Sequence, residues 1–224
     1  MIIKQAIFDL DGTLLETMDS IIKAGNAMLS RLGYGPRSRE EYKLFVGYGA
    51  KQLVKNLLRA SGDVHESRLE EAYPIYMEIF DETCTYKVRP YPGMTELISY
   101  LADHGIKLAV LTNKPHSMAA RVVNSVFPTN TFTIIQGLDD SFPRKPDPTA
   151  ALHIAKELGA IDLRQVMFMG DSDADMQTAV NAGMLPVGAS WGFRTGEELV
   201  ANGCEILLEK PLDLIDRLTG DQRG

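Results

Sequence analysis

Two cysteines, Cys84 and Cys204, are all that this 224-residue chain contains. They are too few and too far apart for a disulfide framework or a cysteine zinc site, and each reads as a buried, inert thiol in a reducing cytosol. No apolar stretch approaches the roughly 20 residues of a membrane span. The opening Met1-Ile2-Ile3-Lys4 runs almost directly into a strand and lacks a signal-peptide apolar region. Cationic residues are scarce too: 23 Lys and Arg against 30 Asp and Glu leave a net charge of −7. That balance argues against nucleic acid or an anionic membrane as partner. Attraction of an anionic substrate must then come from local Lys, Arg or a metal ion, because the global field opposes it. The chain has no internal repeat, no low-complexity tract and no Walker lysine loop. Its four histidines, His65, His104, His116 and His153, show no metal-ligand spacing.

What is present is a globular composition, 45% hydrophobic and 24% charged, with a length that suits one large α/β domain or a core with an insertion. Gln5 to Phe8 reads as a buried strand. The next strand signal, Ile106 to Leu111, comes almost a hundred residues later, far more than a βαβ crossover of a dozen or so residues needs. The intervening segment reads as helical. Met18, Ile21, Ile22, Gly25, Met28, Leu29 and Leu32 follow the i, i+3, i+4, i+7 rule, and Gly33-Tyr34-Gly35-Pro36 stops them. Leu53, Val54, Leu57 and Leu58 indicate a second helix. Leu69, Ala72, Tyr76, Ile79 and Phe80 mark a third, with Pro74 at its start or at a kink.

Downstream, strands over Lys107–Thr112, Phe132–Gln136, Val166–Met169, Leu185–Gly188 and Glu205–Leu208 alternate with helices. The expected helices are Met94–Asp103, Ser117–Val126, Thr149–Leu158, Ala174–Ala182 and about Glu197–Ala201, with a last one from Leu212. The expected architecture is a Rossmann-like, doubly wound parallel sheet with helices on both faces. The core domain is expected over 1–15 and 87–224 and a helical cap domain over 16–86, with hinges at Leu14–Met18 and Tyr86–Pro92. Such sheets bind ligands at the C-terminal ends of their strands, where Asp9, Thr112 and Asp171 fall.

Phe8-Asp9-Leu10-Asp11-Gly12-Thr13-Leu14 carries the sharpest signal. Residues i and i+2 of a strand point to one side, so Asp9 and Asp11 can address one point, and two such anions repel unless a proton or cation intervenes. Gly12 lets the backbone turn tightly and approach a ligand; the blander alternative is a strand end followed by an Asp-Gly turn. Thr112 and Asn113 offer a hydroxyl and backbone N–H groups near a helix N-terminus, a setting suited to phosphate. Lys145 is held extended by Pro146. Asp171 follows a strand at Gly170, and Asp175 stands four residues on, where acids are also favoured simply as helix-terminal residues.

Taken in order, Asp9-x-Asp11-Gly12-Thr13-Leu14, Leu111-Thr112-Asn113, Lys145-Pro146-Asp147-Pro148 and Gly170-Asp171-Ser172-x-x-Asp175 closely resemble the four signature motifs of the haloacid dehalogenase superfamily. Most of its members are magnesium-dependent phosphatases. The resemblance implies a nucleophilic Asp9, an Asp11 acting as general acid and then base, and an essential Lys145 restraining Asp9. It further implies Mg²⁺ held by the Asp9 side chain, the Asp11 carbonyl and Asp171, with Asp175 as an indirect ligand or a partner for Lys145. Asp11 favours phosphate-ester chemistry, because dehalogenase and phosphonate-cleaving relatives lack an acid there. Val46-Gly47-Tyr48-Gly49-Ala50-Lys51-Gln52-Leu53 resembles the cap loop of bacterial phosphoglycolate phosphatases, with Tyr48 replacing a common Asn. Gly47, Gly49 and Lys51 would there meet a small anion.

The expected activity is therefore phosphate monoester hydrolysis of a small phosphorylated metabolite, phosphoglycolate first, by a cytoplasmic monomer or homodimer. A phosphomutase, a pyrophosphatase and a catalytically silent binding module are the alternatives.

Overall fold

A computed structural model describes residues 2–220 of the chain. Strand β1 (Gln5–Phe8) leads into the two-residue β2 (Leu15–Glu16), then into helices α1 (Met18–Arg31), α2 (Arg39–Phe45), α3 (Ala50–Ala60) and α4 (Leu69–Thr83). β3 (Arg89–Pro90) returns and pairs antiparallel with β2, Leu15 opposite Pro90 and Glu16 opposite Arg89. From there helix and strand alternate: α5 (Met94–Asp103), β4 (Lys107–Pro115), α6 (His116–Asn124), β5 (Ile134–Leu138), α7 (Thr149–Glu157), β6 (Val166–Gly170), α8 (Asp173–Asn181), β7 (Leu185–Ala189), α9 (Gly196–Ala201), β8 (Ile206–Leu208) and α10 (Asp213–Gly220).

Six strands form one parallel sheet in the order β5-β4-β1-β6-β7-β8, so the expected doubly wound α/β core is present. Period-2 alternation sorts the strand residues between two cores. Ala6, Phe8, Leu108, Val110, Met167 and Met169 join the layer that holds α5 and α6. Ile7, Ala109, Leu111, Val166 and Phe168 join the layer of α7 and α8. With both faces covered, β1 and β6 are buried along their whole length, which is why they read as unbroken apolar runs.

The four helices between β2 and β3 bury their apolar stripes on one another. α1 packs on α4 and α3 on α4, around Met28, Leu29, Tyr42, Leu57, Leu58, Tyr76 and Phe80. Pro74 does not start α4: the helix begins at Leu69 and carries the proline inside it, because packing by Ala72, Tyr76, Ile79 and Phe80 outweighs one missing backbone donor. α2 is an element that apolar spacing did not reveal. It starts at a reciprocal capping box between Ser38 and Glu41.

Candidate active site

The sheet order sets β1 between β4 and β6, so the C-terminal ends of these three strands open on one cleft. It encloses about 550 Å³ including its open mouth. Asp9, Asp11, Thr112, Asn113, Lys114, Lys145, Asp171 and Ser172 line its floor, while Ile21, Val46, Leu53, Tyr76 and Phe80 come from the four inserted helices and their loops.

Asp9, Asp171 and Asp175 are all buried, and one carboxylate oxygen of each lies within 4.8 Å of the others. Lys145 is buried among them, its Nζ donating to Asp9 Oδ1 and to Asp175 Oδ1, each at 2.6 Å. Three carboxylates around one ammonium leave two negative charges uncompensated. Burial, with the neighbouring carboxylates Asp175 and Asp11 adding to it, pushes Asp9 up to about 7 even though Lys145 pulls it down. Burial, then Asp9 and Asp175, also hold the Asp171 carboxyl well above the usual range. Desolvation works against the Lys145 charge, yet Asp175 and Asp9 outweigh it and raise its pKa. A buried, oxygen-only, doubly anionic group of this kind fits a hard divalent cation.

Local structure aims each of these side chains. Asp171 is held at Oδ1 by the Thr13 hydroxyl at 2.8 Å and at Oδ2 by the Phe193 N–H at 2.8 Å. Gly12 has φ +93°, and a Cβ there would fall inside contact distance of Asp171 Oδ2. The close approach that this glycine permits is thus to Asp171, and Gly12 does not line the cleft. Asp175 sits at the third position of α8, where Oδ2 accepts from the Ser172 N–H at 3.0 Å and the Ser172 hydroxyl at 2.6 Å. A capping box, rather than a helix face shared with Asp171, brings it in, since α8 starts only at Asp173.

Thr112 is buried at a register irregularity of β4 between Leu111 and Pro115, a kind of bulge that re-aims side chains beside functional sites. Its hydroxyl accepts from the Lys114 N–H at 3.2 Å. The Asn113 side chain is spent on the protein itself: Nδ2 donates to Gly47 O at 2.9 Å, and Oδ1 accepts from the Lys145 N–H at 3.0 Å. It ties the lysine loop to the Gly47 loop instead of presenting its amide to a ligand.

Gly47 and Gly49 line the cleft, but Lys51 does not. Because α3 starts at Ala50, Ala50 and Leu53 face inward one turn apart. Lys51 is exposed, with Nζ 6.0 Å from the centre of the Tyr73 ring. The loop is fastened over the floor by Arg194, which donates to Val46 O at 2.9 Å, by Arg144, which donates to Tyr48 O at 3.2 Å, and by the Tyr48 hydroxyl on Asp173. Burial and then that bond to Asp173 push the Tyr48 phenol up to about 12. The cation at the cleft that sequence reasoning missed is Lys114. Its side chain is 1% exposed and its Nζ donates to Asp11 Oδ1 at 3.0 Å and Oδ2 at 3.2 Å.

A model of the haloacid dehalogenase-like hydrolase family matches residues 6–189. The chain belongs to that family. Among similar proteins, the phosphoglycolate phosphatase of Pseudomonas putida is 32% identical over 206 residues, covering 91% of this chain and 75% of its own length. That of Neisseria meningitidis serogroup A is 34% identical over 193 residues, 85% of this chain and 82% of the relative. A crystal structure described as a putative phosphoglycolate phosphatase from Lactobacillus delbrueckii subsp. bulgaricus superposes with a TM-score of 0.88 at 27% identity, covering 97% and 99% of the two chains.

Proposed function

We propose that the chain is a Mg²⁺-dependent phosphatase that hydrolyses a small phosphate monoester through a phosphoaspartate at Asp9, with phosphoglycolate the first substrate to test. The phosphatase class follows from the family and from relatives named phosphoglycolate phosphatase. The observation that carries the finer reading is the convergence of Asp9, Asp11, Thr112, Lys145 and Asp171 on one cleft from four distant segments.

Lys145 holds one Asp9 oxygen at 2.6 Å, which leaves the other to attack phosphorus while the ester oxygen departs. Asp11 delivers a proton to that oxygen, then takes one from the water that cleaves the acyl phosphate, returning both acids to their starting forms. Lys145 and the N–H groups around Thr112 balance charge on the transferred group. Asp9, Asp171 and the Asp11 carbonyl would hold Mg²⁺, with Asp175 turned mainly to Lys145. The bound ion would polarise the phosphoryl oxygens and offset the two uncompensated charges.

Residues 16–86 form a cap in this reading, and the β2–β3 ribbon is its hinge, letting closure exclude water from the first step and opening admit it for the second. One chain supplies every site residue named, so a monomer suffices, although a homodimer is equally compatible. Among the described residues no helix is long and apolar enough to cross a membrane, and free Cys84 and Cys204 fit a reducing cytoplasm. Asp9→Asn should abolish phosphate release from phosphoglycolate while the melting curve stays cooperative; turnover within tenfold of wild type would remove Asp9 as nucleophile.

A further inference from the structure

The floor holds two ammonium groups, and they are bound very differently. Lys145 Nζ meets two carboxylates at 2.6 Å each, Asp9 and Asp175. Lys114 Nζ meets one carboxylate, Asp11, at 3.0 and 3.2 Å. An ammonium has three donors, so Asp11 leaves at least one of those on Lys114 unspent. The same Nζ lies 4.5 Å from the centre of the Phe80 ring. It therefore stands where the charged floor meets the roof formed by the inserted helices.

That roof is almost wholly apolar. Of the side chains that α1, α3, α4 and the Val46–Gly49 loop contribute to the lining, only Tyr76 has a polar atom. The other cations near the loop, Arg144 and Arg194, are engaged with its backbone carbonyls, and Lys51 is turned away from the cleft. A leaving group rich in hydroxyls would lose water against this surface with few partners in return. A leaving group with one carboxylate near the ester oxygen meets a buried cation that has a donor to give.

We propose that Lys114 is the specificity-determining residue of this site, its free donor pairing with the carboxylate of the leaving group and so favouring such an ester over one without that charge. The proposal rests on the phosphatase reading and names the residue that selects the substrate. A buried charge pair with one partner removed is costly, and the discrimination it confers exceeds what size and shape alone provide.

The test compares phosphoglycolate with ethyl phosphate, which has the same number of leaving-group heavy atoms on the chain to the ester oxygen save for the carboxylate oxygens. Wild type should favour phosphoglycolate by about 100-fold in kcat/KM, a ratio in the range expected for a desolvated charge pair. Lys114→Gln should lower that ratio at least tenfold, and Lys114→Arg should restore most of it. Equal losses on both esters in Lys114→Gln would reduce Lys114 to orienting Asp11 and overturn the proposal. A wild type that hydrolyses ethyl phosphate as well as phosphoglycolate would also overturn it, and needs no variant to fold. A wild type that releases phosphate from 4-nitrophenyl phosphate with Mg²⁺ present but not from phosphoglycolate would overturn it as well, whereas one that hydrolyses none of the three esters would remove the phosphatase reading on which the proposal stands.

Discussion

Raising the pH without a divalent cation should weaken this fold, because the site buries more carboxylate than cation. Burial is the main force that moves Asp9 from its ordinary 3.8 up to about 7, against the pull of Lys145. Between those values the folded chain keeps a proton that the unfolded chain has lost. Stability therefore falls as the pH rises through this window and stays low above it. A difference of about three pKa units at 1.36 kcal/mol each corresponds to about 4 kcal/mol, or on the order of 10 °C in Tm for a chain of this length. Asp171, also raised by burial, acts in the same direction.

A divalent cation held by these carboxylates would replace the proton, so excess Mg²⁺ should raise Tm by several degrees more at about pH 8 than at about pH 5.5. Melting curves in EDTA and in Mg²⁺ at both pH values measure this directly. Asp9→Asn, which has no proton to lose at that position, should flatten the pH dependence in EDTA. A Mg²⁺-induced shift as large at the lower pH, or a wild-type EDTA profile parallel to that of the variant, would mean that Asp9 holds no such proton.

Asp11→Asn should lower kcat for ethyl phosphate by about 10²–10⁴-fold, the usual value of a positioned general acid. The loss should be smaller for 4-nitrophenyl phosphate, whose leaving group needs no proton; equal losses would contradict the acid role. Gly12→Ala should cost about 1–3 kcal/mol of stability through its positive φ and displace Asp171. Calorimetric titration should then show weaker Mg²⁺ binding, and unchanged affinity would contradict the contact between Gly12 and Asp171.

Much of the site was legible because strand ends are. An apolar run that stops at an acid or a hydroxyl marks Asp9 and Asp171 as following buried parallel strands and Thr112 as lying in the last part of another, and the sheet order then brings them together. What escaped depends on contacts that spacing does not encode. Lys114 lies inside β4 beyond the expected strand end at Thr112, and its bond to Asp11 joins residues 103 positions apart. The Phe193 N–H reaches Asp171 from 22 residues away through a chain reversal with no pattern of its own. Lys51 misled because a glycine-flanked lysine reads as an anion loop, whereas one turn of α3 carries it off the inward face. Helix α2 could have been found: Ser38-Arg39-Glu40-Glu41 is a capping-box sequence, overlooked because too few apolar residues follow it to show a period.

Trapping the covalent state shows which acid takes the phosphoryl group. Acid-quenched single turnovers of phosphoglycolate with Mg²⁺, reduced with borohydride, convert an acyl phosphate to an alcohol that peptide mass spectrometry can locate. Homoserine should appear at position 9 and at no other acid. Turnover that leaves position 9 unmodified, or marks Asp11, Asp171 or Asp175 instead, would contradict it.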